Sequence, residues 1–445
     1  MADLYHSAVY DRTIPIGSYW ETTVRRPDCP RLERSHTCDV AVIGAGLTGL
    51  SAALHLTQRG IDVAVVDAGY PAWGASGRNG GFCCEGAASR SGESLVRQFG
   101  LEETRQFYQE QRQAIALVRN LAESESIDIQ PQGTGELLVA HQPSRQRTLA
   151  TQAEFLQQVA LYPCKVLDQE ELTAYGFRNT EAVAGLHIDV GFGLNPLKYS
   201  MGLVQSLIRR GCNVYSYSPV QTWERHDGWH HLHTPGGTLR AKRVLVATNG
   251  YTSDRLHAAF SGGLLPVLSS IVTTRPLTRS EREAQGWTTE NPVYDTRNHL
   301  LYYRLLSDGR CLFGARGGTW GSPADGDRCR RWIEQRFRAL FPAWAEVEMT
   351  HSWSGLVCIS ANLTPQLGQL PQDESVFYAL AYHGNGVATA TWSGRTIAHW
   401  MTGEGDPSQI SAIFRQPLKS FPLPQARIWE LRAVSLGYRV LDALP

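Results

Sequence analysis

Asp39-Val-Ala-Val-Ile-Gly44-Ala-Gly46-Leu-Thr-Gly49-Leu50 is an apolar strand running straight into a Gly-x-Gly-x-x-Gly turn. A helical pattern follows, then a second apolar strand, Val63-Ala-Val-Val66, which ends in Asp67. Strand, glycine turn, helix, strand and acid in this order form a βαβ unit that binds a dinucleotide. Gly44 allows the tight turn, Gly46 lets a pyrophosphate approach the backbone, and Gly49 lets the helix pack close to the strand. The helix start offers free N–H groups and a partial positive charge to the phosphates. Asp67 is placed to accept hydrogen bonds from ribose hydroxyls.

The rest of the 445-residue chain sets limits around that unit. Its length indicates two or more structural units. Lys+Arg and Asp+Glu are both 42, so the net charge is zero, and no broad electrostatic footprint for nucleic acid is expected. Nine cysteines lack CxxC spacing, and the adjacent Cys83-Cys84 suits neither a zinc site nor an ordinary disulfide. Free thiols in a reducing cytoplasm are expected. The start of the chain lacks a basic-then-apolar signal, and Arg25-Arg26 is followed by Pro-Asp-Cys-Pro rather than by an apolar stretch. No run of 18 apolar residues is present, so no spanning helix is expected. Only four basic residues are lysine: Lys165, Lys198, Lys242 and Lys419.

Apolar spacing predicts an α/β protein: a Rossmann-type nucleotide-binding domain with an inserted substrate domain built on a mostly antiparallel sheet. Residues 1–36 read as an extended N-terminal arm. The nucleotide-binding domain is discontinuous, over 37–90, 183–260 and 370–405. The substrate domain covers 91–182 and 261–369, and residues 406–445 form a tail and helix. Helices are expected over 91–125, 145–175, 197–210, 327–341, 387–401 and near 426–442. Arg243-Val-Leu-Val-Ala-Thr-Asn-Gly250 and Phe377-Tyr-Ala-Leu-Ala-Tyr382 are buried strands; Ile271-Val-Thr-Thr274, Leu300-Leu-Tyr-Tyr-Arg304 and Cys311-Leu-Phe-Gly314 alternate as strands of the second sheet.

No second Gly-x-Gly-x-x-Gly offers a separate NAD(P)H site, so electrons are expected from an organic substrate. Past Asp67 comes Trp73-Gly-Ala75-Ser76-Gly-Arg78-Asn79-Gly80-Gly81. With the βαβ glycines, this run resembles the FAD-dependent D-amino-acid oxidase superfamily. Val246-Ala-Thr248-Asn249-Gly250-Tyr resembles its second flavin signature, and Leu300–Arg304 with Asp308-Gly-Arg310 and Gly314 its substrate hairpin. Trp353-Ser-Gly355, Pro365 and Gly368 resemble the approach to the flavin, and His383-Gly384-Asn385-Gly386-Val387 the C-terminal flavin loop. Ser18-Tyr-Trp20 and Tyr438-Arg-Val-Leu-Asp442 lean towards the γ-glutamylputrescine oxidoreductase branch. The resemblance covers nearly the whole chain.

It implies FAD as cofactor, held by the residues just numbered, and oxidation of a C–N bond in an amine or amino acid. A neutral amine would lose hydride to flavin N5, and the imine would hydrolyse. A glycine-rich loop can lie along a flavin where side chains would clash, and the helix start after Gly386 would stabilise an anionic reduced flavin. Arg78 suits phosphate, substrate or a plain loop cation. Tyr302, Arg304, Arg316, His351, Trp353 and His383 are the substrate-side candidates. Arg304 or Arg316 could clamp a carboxylate, or either could be a structural ion-pair partner; His351 suits packing or surface equally, and the aromatics suit a core. Some relatives place a lysine over the flavin to help oxygen react, but none lies between Lys242 and Lys419. The acceptor is therefore oxygen, or, in a same-fold dehydrogenase, a quinone or carrier protein. A non-catalytic FAD-binding subunit is the alternative of another class. Cys358 lies near the segment where relatives tether flavin, but its spacing to Pro365 does not match, so non-covalent FAD is expected.

Overall fold

A computed structural model describes residues 4–443; the first three residues of the arm and the last two of the tail lie outside it. His36–Ile43 is a central strand, with Val63–Val66 parallel on one side and Thr238–Val246 parallel on the other. Asn213–Tyr215 and Asp373–Leu380 extend the sheet in parallel, and Gln366–Leu370 joins it antiparallel. All four residues of Val63–Val66 are buried, the pattern of a strand covered on both faces. The chain leaves the first strand towards one side and later returns on the other. That makes the end of His36–Ile43 a switch point, where open α/β sheets hold their ligand.

Two helices cover one face. Leu47–Thr57 packs against Gly386–Thr402, with Ser51 Oγ donating to the Thr391 carbonyl at 2.6 Å. A side chain at Gly394 would overlap the Thr48 carbonyl, so the two backbones meet directly at that point. Leu101–Ser124 also packs against Gly386–Thr402.

The second sheet has eight strands, in the order 349–360, 264–274, 311–316, 301–305, 293–295, 136–140, 184–188 and 164–167. Every pairing in it is antiparallel except Val293–Asp295 with Glu136–Ala140. Three expectations need correcting. Ala184–Ile188 pairs with Glu136–Ala140, so it belongs to this sheet and not to the nucleotide-binding one; Gln366–Leu370 belongs to the first sheet and not to this one. Within 145–175 the helices are Gln146–Phe155 and Gln169–Ala174, and Cys164–Leu167 between them is an edge strand. Ala184–Ile188 and Cys164–Leu167 are short segments whose partners are not adjacent in sequence, so local pattern does not assign them, and Gln366–Leu370 follows its hairpin partner Asp373–Leu380 into the first sheet. The arm is also no free extension: Trp20 is 1% exposed and donates to the Asn79 carbonyl at 2.9 Å.

Candidate active site

A cavity of about 760 Å³ lies where the strand ends of the first sheet meet one face of the second. That volume is in the range of small-molecule and cofactor sites. Gly44, at φ +108°, turns the chain into it, and a Cβ there would stand 2.7 Å from the Ala247 carbonyl. Gly49 does not line the cavity. Its missing Cβ would overlap the Gly44 carbonyl, so its role is the packing of helix on turn. Gly46 caps the helix with no side chain of its own; Ser76 Oγ accepts from Leu47 N at 2.9 Å. Asp67 accepts from Ala45 N at 2.7 Å and Gly69 N at 2.8 Å, so its carboxylate closes the loop as well as facing the cavity. Burial pushes its carboxyl up, and these two N–H bonds pull it back.

The loop after Trp73 is held by its own side chains. Asn79 Nδ2 donates to the Ala75 and Ser76 carbonyls, and its Oδ1 accepts from Gly81 N. Arg78 lies 4.1 Å over the Trp73 ring and donates to the Trp73 and Ser354 carbonyls. It therefore ties the loop to the second sheet while lining the cavity. Ala75, Ser76, Asn79, Gly80, Thr248 and Asn249 line it too; Gly81 and Gly250 sit behind them. The loop Gly384–Gly386 borders the opposite side and opens the second helix, whose cap residue Asn385 makes no capping hydrogen bond. Instead Asn385 Nδ2 donates to the Glu85 carbonyl. Two helix starts without a side-chain cap of their own thus face one cavity, with Val387 in the first turn of the second. The buried indole N–H of Trp73 and the Tyr251 hydroxyl, both at the cavity wall, have no protein partner. Backbone approach through glycine, positive helix ends and spare polar groups fit a dinucleotide with an anionic pyrophosphate.

A family description, "FAD dependent oxidoreductase" (DAO), matches residues 39–400. The chain belongs to this family of FAD-dependent oxidoreductases. It is 30% identical to gamma-glutamylputrescine oxidoreductase of Escherichia coli over 93% of this chain and 95% of that one. It is 25% identical to glycine oxidase of Geobacillus kaustophilus over 82% of this chain and 93% of that one. The fold matches the crystal structure of that organism's glycine oxidase with a TM-score of 0.70, at 24% identity, covering 86% of this chain and 99% of that one.

The substrate-side candidates of this oxidoreductase separate in space. Register places Trp353, Ile271, Gly314, Tyr302, Tyr294 and Leu138 in one cross-strand row on a single face. Tyr302 lines the cavity, its hydroxyl 2.7 Å from Ser269 Oγ, and burial pushes it up to about 12. Gly314 makes room for that ring, since a Cβ there would overlap it. Arg316 lines the cavity 5.9 Å from the Tyr438 ring of the C-terminal helix. His383 lines it too, at φ +55°; burial pushes its imidazole down to about 4, so it is neutral at pH 7. It therefore does not supply the positive charge that its position in the flavin loop made available for oxygen.

Arg304, Trp353 and His351 stand outside the cavity. Arg304 is fully buried and donates to the Gly81 and Leu194 carbonyls at 2.9 and 2.8 Å. It clamps the glycine-rich loop rather than a substrate carboxylate. Trp353 donates its indole N–H to the Arg78 carbonyl, and His351 bonds Thr350 and meets Tyr19 edge-on. Sequence reasoning missed Glu85, Glu136, Tyr108 and Tyr294, which also line the cavity. Glu136 did carry a signal, as the one charge in the apolar strand Glu136–Ala140.

Proposed function

We propose that this oxidoreductase oxidises a C–N bond of an amine or amino acid. The carrying observation is the match, over nearly the full length of both chains, to an enzyme named for an amine substrate. When bound, FAD supplies the hydride acceptor. The chain's residues do the remaining work. Gly44, Gly46 and the 74–81 loop take the pyrophosphate and flavin against bare backbone. Tyr302, fixed by Ser269, forms a rigid wall that holds the substrate C–H bond in place. Arg316 is one of four arginines lining the cavity, with Arg12, Arg78 and Arg90, and it is the one assigned to a substrate carboxylate. Anaerobic mixing with primary amines, N-methyl amino acids, amino acids and acylated diamines tests the reading. Loss of the flavin absorption band with one of these classes is expected; no loss with any of them overturns it.

A dehydrogenase reading has its own support, because no lysine lines the cavity among the described residues. Lys165, Lys198 and Lys242 are paired with Glu171, Asp128 and Asp39 outside it. With His383 neutral, the cavity arginines Arg12, Arg78, Arg90 and Arg316 and the helix start at Gly386 are left to stabilise superoxide. Substrate-reduced enzyme should pass electrons to an artificial dye faster than to oxygen in stopped-flow. Reoxidation by air faster than reduction by substrate would make it an oxidase. No disulfide joins cysteines among the described residues, which suits a reducing compartment such as the cytoplasm. No helix among the described residues is long and apolar enough to cross a membrane.

A further inference from the structure

Two carboxylates line one cavity, close enough for the charge of Glu85 to act on Glu136. Glu85 follows the buried Cys83-Cys84 pair and sits beside the Gly384–Gly386 loop, through the bond from Asn385 to its carbonyl. Glu136 projects from the second sheet and is 1% exposed. Its Oε1 has no hydrogen-bond partner, and its other contact is the Cys84 thiol. Tyr108 and Tyr294 line the same part of the cavity. No arginine, lysine or histidine pairs with either carboxylate among the described residues, although this chain uses arginine freely elsewhere.

A buried acid without a partner is costly, and such groups are normally paired or exchanged for apolar ones. Burial pushes Glu85 up to about 7 and, together with Glu85, pushes Glu136 well up. The pair therefore holds protons near neutral pH and can give one to solvent when a cation arrives. Aromatic walls add to the attraction for an alkylammonium.

We propose that Glu85 and Glu136 form the subsite that receives the ammonium group of the substrate and takes its proton, leaving the neutral amine for oxidation, and that it selects amines lacking an α-carboxylate over α-amino acids. This rests on the amine-oxidising reading above. Arg316 does not offset the selection, and Arg90, which also lines the cavity, spends its Nε–H on the Asn362 carbonyl. By register it stands three strands and four residues away from Glu136 on the same face, roughly 20 Å between backbones for ordinary strand spacings. An α-amino acid carries its two charged groups on one carbon and cannot reach both. A carboxylate next to the ammonium would be driven against the acidic pair.

The test uses the FAD-loaded enzyme with Glu85→Gln and Glu136→Gln, which keep side-chain shape. Butyltrimethylammonium, which has no oxidisable N–H amine, is titrated by its perturbation of the flavin spectrum, beside neutral 3,3-dimethylbutanol. Wild type should bind the ammonium, and each variant should bind it about tenfold or more weakly, the scale of a lost charge–charge contact in a part-buried site. Binding of the alcohol should be unchanged. Wild-type affinity for the ammonium should rise as pH passes upward through about 7, with that rise flattened in Glu85→Gln. With butylamine and glycine as substrates, butylamine should show the lower KM. Equal ammonium binding by wild type and both variants, or a lower KM for glycine, overturns the proposal. If no amine reduces the flavin, the oxidation reading fails; the ammonium titration still decides the subsite. Melting temperatures no lower than wild type establish that the variants are folded.

Discussion

At the residue scale, charge in this protein divides by what surrounds it. Arg304 is buried with two carbonyls as its hydrogen-bond partners and the Trp20 ring 5.8 Å away, and burial pushes it down to about 10 while leaving it charged at neutral pH. Arg304→Ala would strand the buried Leu194 carbonyl, leave the Gly81 carbonyl with the Leu194 N–H alone, and open a void. It should cost about 3 kcal/mol, seen as a lower Tm and easier loss of FAD. The fraction that stays loaded should keep its KM; a raised KM at unchanged Tm would mean that the arginine binds substrate after all. Glu136 is the opposite case. Its carboxyl is held up by burial and by Glu85, while Cys84, Tyr108 and Tyr294 around it are kept protonated by burial. An acid raised above its unfolded value lends stability at low pH and loses it as pH rises through the folded value. Glu136→Gln should therefore gain Tm relative to wild type, little at pH 5 and more at pH 8. A gain that shrinks with rising pH would contradict the assignment.

At the scale of elements, the turn between His36–Ile43 and Leu47–Thr57 is set by absent side chains. Gly49→Ala would push a methyl into the Gly44 carbonyl, which is backbone and cannot move aside. The expected result is a protein that is unfolded or free of FAD, read by flavin content after purification. A Gly49→Ala protein that is folded and fully yellow would refute the close packing. Gly46 differs, because its nearest obstacle is the Ser76 hydroxyl at 2.9 Å, the group that caps Leu47. Substitution by valine there should displace Ser76 and fill the phosphate approach together. FAD should be lost while the helix, supported by its burial against Gly386–Thr402, remains.

At the scale of the whole molecule, the cofactor space is walled by both sheets, the glycine-rich loop and two helix starts, so FAD joins parts remote in sequence. A ligand that binds only the folded state raises Tm as its concentration rises. Purified protein should be yellow, and stripping the FAD should lower Tm, with recovery on adding it back. The Cys358 thiol lines the cavity, but burial pushes it up and keeps it a poor nucleophile. Acid precipitation should then leave the colour in the supernatant; a yellow pellet would show a covalent bond.

The nucleotide-binding unit was legible because its requirements are local. An unbroken apolar run, three glycines and an acid act over fewer than about thirty residues, so their spacing carries the geometry. The same holds for the glycine runs at 74–81 and 384–386. Substrate-side roles were not local. Tyr302, Arg304 and Trp353 share one sheet face by alternation, yet Tyr302 meets the cavity while Arg304 and Trp353 fasten the loop above it. Nothing in Leu300–Arg304 distinguishes an arginine that binds backbone carbonyls from one that binds substrate. Ala184–Ile188 went to the second sheet through a partner nearly fifty residues earlier, and Glu85 met Glu136 across a similar gap. Local sequence specifies which backbone shapes are affordable. Burial, pairing and the protonation that follows from them depend on long-range packing, which brings each of these side chains to neighbours absent from its own stretch of chain.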